Sequence, residues 1–314
     1  MRAAPLSNLA TLVRVSRLYY ELGETQEAIA RVVGVTRPQI SRLLKEAREQ
    51  GVVEIRIVDR AEAPSSAGEE LRAAFGLRAV HLAPTTEGPA AVARRRVGKL
   101  AGQVLGELIR DGMVVGVGDG AAMSATADAL EPGSQMDATI VPLCGGFWRP
   151  TAGADPARRI GDAFGAATYT LHAPGVLDEP GVRDALLAHD GVRSVTELWR
   201  RLDAAILGIG APTWTASSVG RRAMAELEGN GAVGEVLIAP FDIEGRLVAP
   251  SLRERTIAFD AESLPSLPIA IGVAEGAAKI VPILGALRGR FVNVLVTDVA
   301  TAEAVLRLYE APAA

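Results

Sequence analysis

Polar and basic side chains recur off the apolar stripe of residues 37–50, and their chemical types are those that contact nucleic acid. They are Arg37, Gln39, Ser41, Arg42, Lys45 and Arg48. Guanidinium and ammonium groups bind phosphates, while Arg, Gln and Ser side chains hydrogen-bond to base edges in a major groove. The solvated face of a larger helical bundle carries similar residues, so the side-chain types alone leave both interpretations open.

Two short amphipathic helices joined by a tight turn are predicted to position these side chains. Their apolar residues fall at three- and four-residue spacing: Ile29, Val32, Val33, Ile40, Leu43, Leu44 and Ala47. The period breaks at Gly34 and restarts after Thr36. Thr25 and Thr36 each precede a helix and are good N-caps, and Pro38 falls in a first turn, where its missing N–H costs nothing. Gln39 lies close to a capping-box position without matching it.

Capped helices, a glycine turn and a basic second helix together predict a helix-turn-helix, with residues 26–33 as the supporting helix and 37–50 as the recognition helix. The residues predicted to contact DNA are Thr25, Gln26, Thr36, Arg37, Gln39, Ser41, Arg42 and Lys45. Residues 6–22 are predicted to form a preceding helix that turns Leu9, Leu12, Val13, Leu18 and Tyr19 toward the core. Residues 52–58 are predicted to form a short strand, either a wing against DNA or a strand that packs on the head.

The charge is distributed unevenly along a chain of globular composition. Of 314 residues, 49% are hydrophobic and 22% are charged, which suits one small and one large domain. Residues 1–60 carry +3 and the remainder carries −7, so only the head is expected to touch nucleic acid. Cys144 is the only cysteine, and no stretch is long and apolar enough to span a membrane. We therefore expect a cytoplasmic protein without disulfides or membrane contact.

The body beyond the head is predicted to be α/β. Strand-like segments without polar alternation are separated by helix-like segments, which is typical of a mostly parallel sheet covered on both faces. The predicted strands are residues 79–82, 113–117, 139–143, 204–209, 269–273 and 292–297. Pro, Ser and Ala in residues 60–68 indicate a linker or hinge, so the predicted domains are 1–59 and 69–314.

Glycine-rich loops follow several of these strands, at the sheet edge where ligands bind in parallel sheets. Residues 116–122 join a strand directly to a helix N-terminus, where free N–H groups and the helix dipole favour an anion. This loop is not a P-loop, because no Lys-Ser/Thr pair follows. It does not complete the dinucleotide motif either, because Met123 stands where the third glycine would be. A simple strand-to-helix connection remains the alternative interpretation.

The ordered set of motifs resembles the SorC/DeoR-type sugar-responsive transcriptional regulators. In the head the resemblance is carried by LYYELGETQEAIARVVGVTRPQISRLLKEAREQGVVEIRI (18–57). In the body it is carried by VVGVG (114–118), VPLCGG (141–146), LLAHDGVRSVTELWRRLDAAILGIG (186–210), GAVGEV (231–236) and VAEGAAKIVPILGALRGRFVNVLVTD (273–298). It implies a head that binds double-stranded operator DNA and a body that binds a sugar, polyol or sugar phosphate. It further implies a dimer or tetramer, and a body with a fold similar to sugar-phosphate isomerases and deaminases but without catalysis.

The resemblance also implies which residues contact the effector. They are Gly118, Asp119, Gly120, Ala121, Ala122, Gly145, Gly146, Asp203, Gly210, Arg221, Glu235 and Lys279. Lys279 and Arg221 are the candidate cations, and Glu235 and Asp203 are candidate hydroxyl acceptors, although Asp203 suits a structural cap as well. Where related loops offer hydroxyl side chains, this chain has Ala121 and Ala122. Asp119 adds a negative charge that opposes a phosphate, so a phosphorylated effector and an unphosphorylated one both stay open.

Two further hypotheses compete with an effector-controlled regulator. One is a sugar-phosphate isomerase or deaminase with an appended head, which would need a positioned acid and base that the sequence does not identify. The other is a constitutive DNA-binding protein whose pocket has decayed, motivated by Ala121 and Ala122. The three histidines, His81, His172 and His189, lack metal-ligand spacing. We expect no catalysis, no metal and no cofactor.

Overall fold

The computed structural model describes residues 9–53, 65–85, 88–133, 135–146, 155–213, 215 and 219–311. The chain divides into two compact units, Met1–Ala61 and Glu62–Ala314.

The described part of the first unit is helical. Helix α1 is Leu9–Ser16 and continues as a π-helical turn, Arg17–Glu21; α2 is Gln26–Val33 and α3 is Arg37–Glu49. Their shared core consists of Leu12, Val15, Ile29, Ala30, Ile40, Leu43, Leu44 and Ala47. The amphipathic pattern of α3 is thus confirmed, because all four of its predicted apolar residues are buried.

The structure departs from the sequence prediction at two residues of this unit, Leu9 and Val32. Leu9 was placed in the core but is 64% exposed, because it lies in the first turn of α1, beyond the last core residue, Leu12. Val32 is 61% exposed, since Ile29 and Ala30 occupy the packed face of α2 instead. Most of the predicted strand 52–58 lies outside the described residues. Its first residue, Val52, belongs to the turn after α3, where its N–H donates to the Ala47 carbonyl at 2.8 Å.

The second unit alternates helices and strands. Its strands are β1 Ala79–Ala83, β2 Val114–Val117, β3 Thr139–Pro142, β4 Ala167–Thr168, β5 Ala204–Gly208, β6 Gly234–Val236, β7 Ala239–Phe241, β8 Ile269–Val273 and β9 Val294–Asp298. Its α-helices among the described residues are α4 Ala67–Phe75, α5 Ala90–Leu108, α6 Ala121–Asp128, α7 Pro156–Phe164, α8 Pro180–Ala188, α9 Asp190–Thr196, α10 Arg221–Gly229, α11 Pro250–Arg253, α12 Ile280–Arg288 and α13 Val299–Glu310. Short 3-10 helices are Leu198–Arg201, Ala261–Ser266 and Ala277–Lys279.

Seven strands form one sheet in the order β1-β9-β8-β5-β2-β3-β4, and β6 and β7 form a separate antiparallel hairpin. Every pairing in the large sheet is parallel. Successive residues of a strand enter different cores: on β5, Ala205 and Leu207 pack on one side, and Ala204 and Ile206 on the other. Both faces are therefore covered by apolar groups, which explains the absence of polar alternation and confirms the predicted α/β class.

The sheet order brings the chain ends of this unit together. Helix α4 begins at Ala67, within the segment predicted as linker, and the hydroxyl of Ser65 accepts from the Ala67 N–H at 3.3 Å. Helix α4 packs against α13 through the rings of Phe75 and Tyr309, whose centroids are 4.8 Å apart. Ser65 also donates to Glu303 at 3.2 Å. The segment that enters the sheet thus lies beside the helix that leaves it.

The three central strands β8, β5 and β2 are direct neighbours and run in the same direction. Their carboxyl ends therefore meet at one edge of the sheet. From β2 the sheet continues to β3 and β4, while from β5 it continues to β8 and β9. This reversal between β2 and β5 is the position at which open parallel sheets leave a crevice for ligands.

Candidate functional site

Local hydrogen bonds determine where the two helices of the helix-turn-helix begin and end. The Ala28 N–H donates to the Thr25 hydroxyl at 3.2 Å, so Thr25 caps α2 as predicted. Gly34 ends that helix with a φ of 76°, in the left-handed region that glycine adopts without strain. Its N–H donates to the Ala30 carbonyl at 2.9 Å. This tight turn fixes the angle at which α3 leaves α2.

Gln39 takes part in the cap of α3, contrary to the expectation that it misses the capping-box position. It is the third helical residue after Thr36, which is the capping-box spacing. Its Oε1 accepts from the Thr36 backbone N–H at 2.8 Å and from the Thr36 hydroxyl at 3.0 Å. The Gln39 amide is therefore folded back onto the start of the helix, and a contact to a base edge would require its release.

The exposed face of α3 presents basic and hydroxyl side chains. Arg37, Ser41 and Lys45 follow one another at four-residue spacing and are exposed, as is Arg42. Arg37 lies 3.8 Å from Glu27, and Lys45 lies 3.6 Å from Glu49, in exposed ion pairs. Arg42 makes no ion pair or hydrogen bond within the described part of the chain. Exposed ion pairs are weak, so this face is available to a polyanion. Of the other predicted contacts, Gln26 starts α2 and is half-buried.

A cavity of about 250 Å³ opens at the carboxyl ends of β2, β5 and β8. Its described lining is Arg94, Gly118, Asp119, Gly120, Ala121, Ala122, Cys144, Gly208, Ile209, Gly210, Ala211, Thr213, Glu235, Leu237, Ile238, Val273, Ala274, Glu275 and Lys279. Eight of the twelve residues that sequence reasoning assigned to an effector site are among them. The position at the crevice of the sheet and the mixture of charged and small residues define a candidate small-molecule site.

The loop after β2 forms one wall of the cavity. Gly118 is packed so closely that a Cβ atom there would lie 3.2 Å from Leu207 Cβ. Gly120 has a φ of 109° and precedes α6, whose first residues are Ala121 and Ala122. The Gly120 N–H donates to Asp119 Oδ1 at 2.6 Å. A carboxylate therefore lies next to the residue that precedes the N-terminus of α6, where free N–H groups favour negative charge.

Two cations and two further carboxylates form the opposite wall. Arg94 Nε lies 2.9 Å from Glu275 Oε1, and the Glu275 side chain is only 6% exposed. Burial lowers the pKa of the Lys279 amine, and the nearby carboxylates of Glu275 and Glu235 only partly offset this effect. Lys279 is therefore a partly desolvated amine surrounded by charge, a chemical environment typical of ligand-binding positions.

Glu235 reaches the cavity because Gly210 leaves room for it. The two residues form an antiparallel bridge after β5, in which the Gly210 N–H donates to the Glu235 carbonyl at 2.8 Å. A Cβ atom on Gly210 would collide with the Glu235 side chain. The glycine thus sets the position of the carboxylate, which sequence reasoning had assigned as a hydroxyl acceptor.

Gly145 and Gly146 line a second, adjoining cavity of about 210 Å³. It shares Gly118, Asp119 and Cys144 with the first one, and Asp155 lies in its wall. Burial raises the pKa of the Asp155 carboxyl, and the negative charge of Asp119 adds to that effect. The Cys144 thiol lies between the cavities, and its pKa is raised by burial and then by the carboxylate of Asp119. The described lining of the second cavity thus contains two acidic side chains and no basic one.

The structure does not bring Asp203 and Arg221 to either cavity. Asp203 lies just before β5, at the amino-terminal edge of the sheet, and its Oδ2 accepts from the Val114 N–H at 2.8 Å. It is a structural link between two strands, as the alternative interpretation held. Arg221 begins α10 and is absent from the described lining of both cavities. Arg221 and Lys279, the two predicted cations, thus do not line the same cavity, and Arg94 is the second cation beside Lys279 in the described lining.

Sequence reasoning missed Arg94, Glu275 and Asp155. Arg94 lies in the run of three arginines at residues 94–96, and the pattern does not distinguish it from its exposed neighbours. Glu275 was within reach, because it follows β8 directly and lies in the AEGAAKI segment singled out for Lys279. Only the three-dimensional pairing of α5 with the end of β8 identifies Arg94.

A buried hydrogen-bond cluster holds the turn between Glu275 and Lys279. The Gly276 N–H donates to Thr301 Oγ1 at 2.9 Å, and the Thr301 hydroxyl donates to Asp298 Oδ2 at 2.6 Å. Asp298 Oδ1 also accepts from the Thr301 N–H at 2.9 Å, so it caps α13. The charged wall of the cavity is thus fixed to the carboxyl end of β9.

A helix-turn-helix with an exposed basic face and an α/β unit with a charged cavity define a ligand-responsive transcriptional regulator. Comparison with known families supports this class. Residues 7–62 match the Crp-like helix-turn-helix domain, and residues 59–307 match a sugar-binding domain. The chain belongs to the SorC/DeoR-type family of sugar-responsive, DNA-binding transcriptional regulators.

Curated relatives align along almost the whole chain. The sorbitol operon regulator of Klebsiella pneumoniae is 30% identical over 96% of this chain and 98% of its own length. The deoxyribonucleoside regulator of Bacillus subtilis is 28% identical over 94% of this chain and 96% of its own length. These relatives are regulators and not enzymes, which confirms the non-catalytic prediction.

Solved structures give the same assignment. The full-length sorbitol operon regulator of Klebsiella pneumoniae superposes with a TM-score of 0.77 at 28% identity, covering 96% of this chain and 99% of that one. A transcriptional regulator from Streptococcus pneumoniae gives a TM-score of 0.72 at 26% identity, over 78% of this chain and 97% of that one. Within the described residues, no helix is long and apolar enough to cross a membrane.

Proposed function

We propose that the cavity at the ends of β2, β5 and β8 binds a small polyhydroxylated effector, and that its occupancy changes the affinity of the head for operator DNA. The effector class comprises sugars, polyols and sugar phosphates. The observation that carries the proposal is the convergence of Asp119, Glu235, Glu275, Arg94 and Lys279 on one cavity. Carboxylates accept hydrogen bonds from hydroxyl groups and cations donate to them, so this wall can bind many hydroxyls at once.

We also propose that the protein acts in the cytoplasm as a dimer or tetramer. The head carries only +3, so one head alone gives modest electrostatic attraction to DNA. Two heads on a palindromic operator would multiply their affinities through effective concentration. The names of the two curated relatives refer to sorbitol and to deoxyribonucleosides. Hexitols, pentoses and their phosphates are accordingly the first compounds to test.

The experiment that tests the proposed function combines a ligand screen with DNA binding. Thermal unfolding of the full chain is measured against sugars, polyols and their phosphates, since a ligand that binds the native state raises the midpoint. Compounds that raise it are then added to the protein on a duplex selected by the protein from a random library. We expect at least one compound to change both the midpoint and the DNA affinity. If none does, the protein is a constitutive DNA binder and the proposal is wrong.

Replacing Lys279 by methionine should separate stability from response. Methionine keeps the length of the side chain without its charge. Because burial lowers the pKa of this amine, the charged amine destabilises the folded state. Without ligand, the Lys279→Met protein should therefore unfold at a slightly higher temperature than wild type. The Kd of an active compound for this variant should be about tenfold higher or more, because the cation that binds it is lost.

The matched control for that substitution is Lys99→Met. Lys99 is exposed on α5 and makes no ion pair with any described residue, so this variant should respond like wild type. Thermal shift titrations measure both variants. An unchanged Kd in Lys279→Met would remove the amine from the proposed site.

A further inference from the structure

A carboxylate of the protein itself lies beside the N-terminus of α6. A phosphate bound at the end of a parallel strand characteristically lies on the free N–H groups of the following helix. Here Asp119 precedes that helix, and its carboxylate accepts from the Gly120 N–H at 2.6 Å. Ala121 and Ala122, the first residues of the helix, add no hydroxyl donor. A phosphate at this place would meet a carboxylate, and the repulsion between like charges is strong in a partly desolvated site.

The cations of the cavity do not balance this charge. Arg94 is already paired with the buried carboxylate of Glu275 at 2.9 Å. Lys279 faces the carboxylates of both Glu275 and Glu235. Three carboxylates, including Asp119, thus stand against two cations among the described residues of the cavity lining. A phosphate dianion would have to displace one of these internal pairings.

The adjoining cavity carries acidic side chains in its described lining. Its described lining contains Asp119 and Asp155 and no Lys, Arg or His. Burial raises the pKa of the Cys144 thiol between the two cavities, and the carboxylates of Asp119, Asp155 and Glu235 add to that effect. Glycines 145 and 146 therefore border an acidic compartment.

The same residues suit hydroxyl groups. An ionised carboxylate is an acceptor only and can receive several O–H donors, while Arg94 and Lys279 can donate to hydroxyl oxygens without leaving their carboxylate partners. The cavity of about 250 Å³ lies below the usual range for drug-sized ligands, about 300–1,000 Å³, which suits a molecule of a few carbons. Each extra charge, by contrast, would need a counter-charge that the described lining lacks.

We infer that the cavity takes an uncharged polyhydroxylated molecule and excludes its phosphorylated form, with Asp119 as the residue that sets this preference. This inference rests on the proposed function, because it treats the cavity as the effector site. Glu235 acts in the same direction from the opposite wall. The regulator would therefore sense a free sugar or polyol before phosphorylation, and a kinase acting on that compound would remove the signal.

The test compares Asp119→Asn with wild type, using inorganic phosphate, D-sorbitol and D-sorbitol 6-phosphate as probes. Asparagine has the shape of aspartate without its charge. We expect wild type to gain no thermal stability from millimolar phosphate beyond that from chloride of equal ionic strength. In Asp119→Asn the Kd for inorganic phosphate and for the phosphorylated probe should fall about tenfold or more.

Asp178→Asn is the matched control, because Asp178 is exposed and lines neither cavity, and it should behave as wild type. Glu235→Gln provides a second charge-removing variant if Asp119→Asn does not fold. Unchanged phosphate affinity in both variants, or tight binding of D-sorbitol 6-phosphate to wild type, overturns the inference. Failure of the proposed function is distinguishable: no sugar or polyol would then alter DNA affinity, while the phosphate measurements would still decide the role of Asp119.

Discussion

Replacing Arg42 by alanine should weaken operator binding about 10- to 100-fold, with effector binding unchanged. Arg42 is exposed on α3 and makes no ion pair within the described residues, so its guanidinium is free to bind a base edge or a phosphate. Its removal leaves the core of the head intact, because the buried residues of α3 lie on the other face. Fluorescence anisotropy on the selected duplex, at several salt concentrations, measures the loss.

The salt dependence also reports what Arg42 contacts. A lost phosphate contact lowers the slope of log affinity against log salt concentration by about one per head. A lost base contact instead relaxes the sequence preference at one position of the operator. Arg95→Ala is the matched control, since Arg95 is an exposed arginine on α5 with no ion-pair partner among the described residues. Equal losses of DNA and effector affinity in Arg42→Ala would contradict separate roles for the two units.

Gly98→Ala should lower the free energy of unfolding by about 1–3 kcal/mol and weaken effector binding at the same time. A Cβ atom at this position of α5 would lie 2.6 Å from the carbonyl carbon and 2.7 Å from the carbonyl oxygen of Ala125. Backbone atoms cannot rotate away, so α5 and α6 must separate. Because α6 begins at the cavity with Ala121, the displacement also reaches the ligand site. Urea unfolding and ligand titration measure the two effects.

Gly106→Ala, on the same helix, should behave in the opposite way. The nearest atom to a Cβ there is Phe164 Cε1 at 3.7 Å, an ordinary contact. Alanine in a helix interior is favoured over glycine by about 0.5–1 kcal/mol, so this variant should be slightly more stable than wild type and should bind the effector normally. Equal behaviour of the two alanine variants would show that close packing at Gly98 is not required.

The head was largely predictable because its signals are local. The spacing of Ile40, Leu43, Leu44 and Ala47 identifies the buried face of α3, and Gly34 marks the turn. The prediction of buried residues was wrong at Leu9 and Val32, which fit the apolar period but have no neighbouring helix of the described part of the chain packed against them. The periodicity of one helix does not state where the neighbouring helix ends.

The site was predictable only in its outline. Strand ends and glycine loops located Asp119 and Gly210, because a parallel sheet brings its carboxyl ends to one edge. Lys279 was implied only by the family resemblance. The Arg94–Glu275 pair joins residues 181 positions apart in the chain, and no local pattern encodes such a contact. For a related reason, the sequence left Asp203 open between an effector contact and a structural cap. It lies next to a strand, but at the opposite end from the ligand crevice.

The position of β9 has a consequence for the synthesis of the protein on the ribosome. Strand β1 lies at the edge of the sheet and pairs with β9, which is inserted between β1 and β8. Strand β1 thus cannot pair until β9 has been synthesised, and such long-range pairing is slow to form. Among the described residues, the core of the head is formed by side chains from Leu12 to Val53. A nascent or truncated chain that stops before β9 therefore carries the DNA-binding head without a completed sensor, and we expect such fragments to bind operator DNA weakly and to respond to no effector.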